Sequence, residues 1–211
     1  MSAAAPILKQ PWRTLSRQKE AATFGIWVFL ASEALFFGSL LLVYTVARIS
    51  YPQDFLLAGR ETDIWFGTIN TAILMTSSLT MAVASQTADV DARKLTVWCL
   101  TATIALGILF LILKGFEYKE DLDKHLWPST DFALKEPGAR IFFALYWTLT
   151  GVHAIHLTIG LFLVGRLAIF GGFRWVRLKR NPQVEVTALY WHLVDVIWII
   201  LYPLIYLMGR A

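Results

Sequence analysis

One acidic side chain interrupts a long apolar run near the start of the chain. Residues 24–47 contain Glu33 as their one ionisable group apart from tyrosine. At about 1.5 Å rise per residue such a helix is about 36 Å long, enough to cross a hydrocarbon core of about 30 Å. Two hypotheses stay open for this buried acid. It is a proton-linked coupling residue, or an interhelical hydrogen-bond partner held in its neutral form because burial disfavours charge.

Two pairs of polar residues lie three positions apart in later apolar runs, namely His153 with His156 and His192 with Asp195. Residues three apart share a helix face, and imidazole is a ready ligand, so one hypothesis is a metal or haem site. We favour the alternative, in which these groups pair with one another inside a bundle, because a catalytic zinc site normally needs three protein ligands. The sequence also has no HExxH motif and no Cys/His cluster. It therefore predicts no metal and no redox cofactor in this chain.

Aromatic and charged residues near these groups have simpler interpretations. Trp191 and Trp198 share a face of the last apolar run with Asp195, a pattern typical of packing or lipid contact. Lys114 and Glu117 close the third run, where a lysine can extend its stem to reach the interface. No phosphate loop, dinucleotide fingerprint or nucleophile elbow is present, so the sequence predicts no independent catalytic site.

Small and hydroxylated residues predict where helices meet. Ala34 and Gly38 form a small-xxx-small pair, which favours close approach of another helix. Asn70, Ser77 and Thr80 recur at helical spacing, and we expect them to hydrogen-bond across helices rather than bind a ligand.

Composition places the chain in the membrane. Hydrophobic residues make up 57% of the 211 positions and charged residues only 16%, with a mean hydropathy of +0.57. A soluble domain carries about 25% charged residues. The basic residues lie at the ends of apolar runs, which favours a membrane surface and argues against nucleic acid as a partner. The single Cys99 excludes an internal disulfide.

The elements that must position these residues are five spans of an all-α integral membrane bundle. Residues 1–23 are predicted to be a basic cytoplasmic arm without the apolar core of a signal peptide, and residues 24–211 a single membrane domain. The predicted spans are about 24–47, 64–85, 95–116, 140–164 and 182–208. We expect Pro137 and the Asn181-Pro182 pair to begin helices, and Pro203 to kink the last one.

The distribution of Lys and Arg predicts the orientation. The amino-terminal arm and the second and fourth loops hold more of them than the other loops and the tail. By the positive-inside rule the amino terminus is cytoplasmic and the carboxyl terminus periplasmic.

Motifs in four of these spans, taken in order, resemble subunit III of the haem–copper terminal oxidases, the cytochrome c oxidase family. They are ASEALFF at 31–37, NTAILMTSS at 70–78, TLTGVHAIH at 148–156 and YWHLVDVIW at 190–198, and KGFEY at 114–118 also fits. The resemblance covers residue 24 to the end and is to the five-helix bacterial form, which lacks two amino-terminal helices of the mitochondrial one. By motif position Glu33 matches the carbodiimide-reactive membrane glutamate of the family.

The resemblance implies a non-catalytic subunit of a proton-pumping respiratory oxidase in the bacterial inner membrane. Such a subunit binds no redox centre and packs against subunit I, which carries the haems and copper. It holds phospholipid in a cleft, supports proton uptake and protects the oxidase during turnover. The implied partners are subunits I and II and phospholipid, with cytochrome c or quinol as electron donor. The alternatives are an accessory protein of nitric oxide reductase and a free-standing proton-linked transporter.

Overall fold

Five long helices and one short helix form the chain in the computed structural model, which describes residues 14–173, 178 and 181–210. The helices are α1 (Leu15–Ser50), α2 (Pro52–Glu61), α3 (Ile64–Asp89), α4 (Arg93–Asp123), α5 (Pro137–Gly172) and α6 (Pro182–Tyr202), which continues into a π-helical turn (Pro203–Leu207). Five of them are long and apolar enough to span a membrane. The predicted all-α, five-span architecture is therefore confirmed.

The spanning helices extend beyond the predicted runs. α1 and α5 each have 36 residues, about 54 Å at the usual rise, so both exceed the thickness of a bilayer. α1 already begins at Leu15, within the stretch predicted as an arm, and residues 1–13 of that arm lie outside the described residues. Hydropathy marks the part of a helix that lies in lipid, whereas the helix itself continues until a cap or a breaking residue ends it.

Local capping signals set several of the helix starts. The Asn181 side chain accepts a hydrogen bond from the Gln183 amide at 3.0 Å, with Pro182 at the first helical position. Pro137 likewise begins α5. Both predicted starts are confirmed. At the far end of α6, Pro203 changes the helix type, and the Met208 amide bonds back five residues to the Pro203 carbonyl.

Helix α2 lies in the predicted first loop, which the sequence interpretation treated as irregular. Its Asp54 side chain accepts a hydrogen bond from the Gly138 amide at 2.9 Å and so caps the start of α5. The Arg210 guanidinium donates to carbonyls at the end of α2, reaching Thr62 at 2.6 Å and Arg60 at 3.3 Å. The short helix is therefore held from both sides, by α5 and by the end of the chain that follows α6.

Helices α3, α4, α5 and α6 form a ring in which each packs against two neighbours. α6 and the π-helical turn that follows it supply three large side chains, Trp191, Trp198 and Tyr206, all fully buried. A Cβ atom added at Gly160 would lie 3.1 Å from the Trp191 ring, and one at Gly107 would lie 3.0 Å from it. Glycines on two ring helices therefore make the space that this indole occupies.

Helix α1 lies outside this ring and packs mainly against α5 and α6. A Cβ atom added at Gly38 would meet nothing within 4 Å. The close helix contact predicted at Ala34 and Gly38 is therefore absent among the described residues, because this face of α1 is turned away from the ring. Large apolar residues such as Leu35 (76% exposed) and Leu42 (64% exposed) share the uncovered surface.

Exposed tryptophans mark the two ends of the membrane-facing surface. Trp27 and Trp98 lie in the first parts of α1 and α4, whereas Trp65 begins α3 and Trp127 follows α4. Because successive spans run in opposite directions, the first two and the last two lie at opposite ends of the bundle. Trp is enriched at both membrane interfaces, so this arrangement agrees with a bundle set across a bilayer.

Candidate functional site

Glu33 and His156 form an ion pair or hydrogen bond at the edge of the bundle, named here the edge pair. Glu33 Oε2 lies 3.0 Å from His156 Nε2, and the two side chains are 17% and 16% exposed. His156 Nδ1 lies 2.8 Å from the Val152 carbonyl, which can only accept, so Nδ1 carries a hydrogen. The contact with Glu33 therefore places one shared proton between the carboxyl group and Nε2.

Aromatic residues surround the edge pair and join three helices around it. The Phe37 ring meets the His156 ring edge-on at 5.2 Å, and Phe36 lies 6.4 Å from it. The Tyr190 hydroxyl of α6 donates to the His156 backbone carbonyl at 3.0 Å, and Phe29 lies 5.9 Å from the Tyr190 ring. Glu33 thus links α1 to α5 beside an aromatic lining.

His153 is enclosed rather than paired. Its ring is fully buried, tilted against Trp198 at 5.0 Å between centroids, with Phe110 edge-on at 5.7 Å. Neither ring nitrogen has a hydrogen-bond partner among the described residues. The ring therefore fills space in the core, and its nearest neighbours are aromatic.

His192 and Asp195 also have separate environments. The Ser78 hydroxyl of α3 lies 2.8 Å from His192 Nδ1. Asp195 is 2% exposed. Within the described part of the chain its carboxyl oxygens make no hydrogen bond, and the Ser78 side chain interacts with them at longer range. The four polar residues predicted to satisfy one another thus do not pair with one another: two bond to other helices, and His153 and Asp195 have no hydrogen-bond partner among the described residues. The spacing placed each pair on one helix face correctly, but a turn of helix separates neighbours enough for each to meet a different element.

The two tryptophans of the α6 signature are core residues. Trp191 Nε1–H donates to Ser77 at 3.2 Å and Trp198 Nε1–H donates to Thr71 at 3.0 Å, so both indoles are tied to α3. Of the predicted polar stripe, Ser77 and Thr80 make interhelical bonds, the latter to Thr103 at 2.8 Å. The buried Asn70 amide has no hydrogen-bond partner among the described residues.

A second polar site, named here the lysine cluster, consists of Lys114, Glu117, Asp121, Tyr146 and Tyr206. Lys114 Nζ donates to Tyr146 at 3.0 Å and to Tyr206 at 2.7 Å, and lies 3.0 Å from Glu117 Oε1. The Tyr206 hydroxyl donates to Glu117 Oε1 at 2.6 Å. Lys114 and Glu117 are each only 2% exposed. The cluster joins α4 to α5 and to the π-helical turn.

The prediction that Lys114 extends its amine to the interface is wrong. Its amine turns inward, where the rings of Tyr118 and Tyr146 also approach it at 4.9 and 4.6 Å. Sequence reasoning placed Asp121 in a loop and did not single out Tyr146 or Tyr206. The signal that was available is the spacing of residues 114, 117 and 121, which places three charged groups on one face of a helix.

In residues 14–173, 178 and 181–210, no group of three or more His, Cys, Asp or Glu side chains is arranged to hold a metal ion. His156 and His192 are hydrogen-bonded and His153 is enclosed by rings. In the described part of the chain, the ionisable groups inside the bundle are thus arranged for packing and proton sharing.

The all-α bundle with five helices able to span a membrane agrees with the resemblance of its motifs to the oxidase subunits, and comparison with known proteins gives the same family. The family model described as Cytochrome c oxidase subunit III matches residues 14–210. The chain belongs to this family, the third subunit of haem–copper oxidases. It is a multi-pass protein of the bacterial inner membrane and a subunit of a terminal oxidase complex.

Individual relatives come from both kinds of oxidase. The chain is 32% identical over 188 residues to cytochrome c oxidase subunit 3 of Bacillus subtilis, covering 89% of this chain and 86% of the relative. It is 26% identical to a cytochrome bo(3) ubiquinol oxidase subunit 3 of Buchnera aphidicola, covering 88% and 93%. It is also 30% identical to part of a haem–copper oxidase subunit I+III of Aeropyrum pernix, covering 90% of this chain and 23% of that protein.

Proposed function

We propose that this chain supports the oxidase without carrying a redox centre, and that its α1 edge is the surface through which it does so. The observation that carries the proposal is the placement of the edge pair. Glu33 of α1 and His156 of α5 meet on the open side of the bundle, and α1 has a large uncovered face there. Polar groups at such a depth face protein or a cavity rather than lipid, so a further subunit belongs beside them.

The partner at this edge is oxidase subunit I, with subunit II as a further neighbour in the complex. The support is the Aeropyrum pernix relative, whose name joins subunits I and III in one protein. A permanent covalent connection in that relative requires the two parts to lie close together. In this chain the uncovered apolar face of α1 offers the contact area that such a neighbour needs.

Phospholipid is the other proposed ligand, and its proposed site lies beside the amino-terminal part of α1, where the apolar run begins. An open groove of about 510 Å³ lies there, lined by Phe24, Trp27 and Thr23 with Glu20 and Glu185. Aromatic rings and carboxylates together suit the ammonium of a zwitterionic lipid headgroup, with acyl chains along the apolar helix surface. A Glu185→Gln variant should then retain less such lipid through purification, measured by lipid extraction and mass spectrometry.

Cytochrome c is the electron donor we propose for the whole complex. The cytochrome c oxidase subunits among the relatives are 29–32% identical to this chain, and the quinol oxidase subunits 24–26%. Turnover of the purified complex with reduced cytochrome c and with a quinol separates the two. Faster oxidation of quinol would contradict this assignment without affecting the role proposed for α1.

The central test is a Glu33→Gln variant in the intact oxidase, reconstituted in vesicles. Glutamine keeps the shape of the side chain and part of its hydrogen bonding but removes the shared proton. We expect oxygen reduction and initial proton translocation per electron to be largely retained, with faster loss of activity over successive turnovers. Ser32→Ala, at the exposed neighbouring position, is the matched control.

Complete loss of pumping from the first turnover in Glu33→Gln would contradict the supporting role and place Glu33 on the main proton path. Haem spectroscopy on the chain released from the complex by detergent tests the other half of the proposal. Stoichiometric haem or copper bound to the released chain would show that it carries a redox centre after all.

A further inference from the structure

The lysine cluster contains two acids and one cation in a buried site. Lys114 faces Glu117 and Asp121, which are 2% and 4% exposed. With both acids ionised, the cluster would carry one uncompensated negative charge away from water. Such a charge is costly unless it is paired or neutralised by a proton.

The charge states of the first two groups follow from their contacts. Lys114 Nζ has three acceptors around it, Tyr146, Tyr206 and Glu117, which matches the three hydrogens of an ammonium. Glu117 Oε1 in turn is contacted by Lys114 Nζ and by the hydroxyls of Tyr146 and Tyr206. Glu117 Oε1 therefore acts as an acceptor toward all three groups, as an oxygen of an ionised carboxylate does. Lys114 and Glu117 thus form the charged pair.

The hydroxyl of Tyr146 then decides the state of Asp121. Tyr146 Oη accepts from Lys114 and lies 2.9 Å from Glu117 Oε1 and 2.6 Å from Asp121 Oδ2. It has a single hydrogen, so it can donate to only one of these two oxygens. The other short oxygen–oxygen contact requires a hydrogen from the carboxyl group itself. Because Glu117 Oε1 already acts as an acceptor, that hydrogen belongs to Asp121.

We propose that the lysine cluster is a binding site for one proton, held on Asp121. The Asp121 carboxyl group donates to Tyr146, Tyr146 donates to Glu117, and Lys114 neutralises Glu117. Every short contact is then a hydrogen bond, and the buried cluster has no net charge. Loss of the proton leaves one hydroxyl between two carboxylates and one negative charge in excess.

The site lies near one end of the bundle, so its proton can exchange with water at that end. Asp121 is two residues from the end of α4, and Asp123 at that end is exposed. The titratable or charged groups that act on Asp121 are Glu117, Lys114 and Lys124 of α4 and Tyr146 of α5, with Tyr206 of the π-helical turn and Tyr118 of α4 completing the surroundings. The predicted orientation places this end on the periplasmic side.

Infrared spectroscopy of the purified oxidase complex tests the proposal directly. A protonated carboxylic acid has a C=O stretching band that shifts in D₂O, and an ionised carboxylate lacks it. The spectrum of the parent minus that of Asp121→Asn should contain this band at neutral pH. Asp123→Asn, at the exposed position on the same helix end, should leave the band unchanged. Absence of the band from the first difference spectrum would overturn the proposal.

The pH dependence of stability provides a second, independent measurement. Asparagine can donate to Tyr146 as a protonated aspartate does, but it cannot ionise. Where the folded parent holds one proton that the unfolded chain has released, its unfolding equilibrium constant should rise about tenfold per pH unit, and Asp121→Asn should lose this slope. Identical pH profiles for the two proteins would contradict a proton on Asp121.

Tyr146→Phe keeps the test decisive if Asp121→Asn does not assemble. The phenyl ring preserves the packing but removes the oxygen that Asp121 bonds. The carboxylic band should then move to the higher frequency of a free acid. A band that stays in place would show that the protonated carboxyl group is elsewhere, and the proposal would fail.

Discussion

The edge pair and the lysine cluster both place ionisable groups inside an apolar bundle, but they differ in what surrounds them. The lysine cluster lies within the ring of α3–α6, where Lys114 and Glu117 are each 2% exposed and contacts come from three elements. The edge pair is partly open, at 16% and 17% exposure, and is joined by one interhelical hydrogen bond between its side chains. The first has its contacts inside the chain, although Glu117 Oε2 has no hydrogen-bond partner among the described residues, whereas the second faces outward.

This difference separates a structural role from an interaction role. A charged group that is fully enclosed must be satisfied by the chain itself, because the lipid around the bundle offers no partner. A polar pair left at the edge of an uncovered helix instead borders on whatever covers that helix in the complex. The following variants test whether the ring and the edge behave differently, in order of expected effect.

The largest effect is expected from Lys114→Met, which removes the one cation of the lysine cluster. Breaking a buried ion pair from one side costs about 3–5 kcal/mol because the remaining carboxylate loses its compensation. We expect the free energy of unfolding of the chain in detergent to fall by this amount. Lys119→Met, on an exposed turn of the same helix, should change it by less than about 0.5 kcal/mol. Equal losses of unfolding free energy in Lys114→Met and Lys119→Met would show that the buried cation stabilises the chain no more than an exposed one.

Tolerance to a larger side chain should also differ between the ring of helices and the uncovered face of α1. Gly160→Leu forces side-chain atoms into the Trp191 ring, and overpacking of this kind costs about 1–3 kcal/mol. A Cβ atom at Gly38 meets nothing within 4 Å on an exposed face of α1, so Gly38→Leu should leave the stability of the chain alone unchanged or slightly higher. In the intact complex, however, Gly38→Leu should reduce co-purification with the haem-containing subunit. Full retention would show that this part of α1 faces lipid.

The hydrogen bond between Glu33 and His156 should contribute less to the free energy of unfolding than the buried ion pair of the lysine cluster. A double-mutant cycle with Glu33→Ala and His156→Ala isolates the coupling between the two side chains, which we expect to be about 0.6–2 kcal/mol. Thr158→Ala, which removes an exposed hydroxyl bonded only to its own helix, serves as the control. A coupling near zero would mean that the 3.0 Å contact does not hold α1 to α5.

The smallest effect is expected at Lys124, which pairs with Glu120 at 2.7 Å with both side chains more than 40% exposed. The hydrogen bond that the Lys124 ammonium donates to Glu120 raises the pKa of Lys124 above its usual 10.5. Its contribution, about 0.2–1 kcal/mol, is therefore present below pH 10.5 and is lost as the pH rises through the higher value of the folded chain. Unfolding of Lys124→Gln and the parent, compared between pH 8 and 11 at low and high salt, measures it. A difference that grows with pH would contradict the pairing.

Local signals in the sequence were sufficient for most of the fold. The five spans follow from hydropathy, and the starts of α5 and α6 follow from Pro137 and Asn181, because both depend on residues close in the chain. Helix α2 was missed because its mixed charge and short length resemble a loop, and its stability comes from contacts with α5 and with Arg210. Such contacts lie far apart in the sequence and cannot be derived from local patterns.

The sites show the same limit. Glu33 was identified because a single acid in a long apolar run is itself a signal, and its aromatic neighbours lie nearby in sequence. The sequence did not identify His156 as the partner of Glu33, since any of several histidines could face this acid. Lys114 was misassigned because a lysine near the end of a span satisfies a rule based on depth alone. Only the presence of Tyr146 and Tyr206 from other helices explains its inward direction.

The position of α1 outside the ring has a consequence for how the protein is made. The first helix to be synthesised packs mainly against the last two, so it enters the membrane long before its neighbours exist. During that interval Glu33 has no histidine beside it, because residue 156 is still to be translated. A lone acid can remain in lipid at moderate cost by keeping its proton, whereas a lone base at the same depth becomes neutral only by losing its proton. The order of the two residues in the chain therefore allows α1 to wait in the bilayer as a neutral helix until α5 arrives to share the proton.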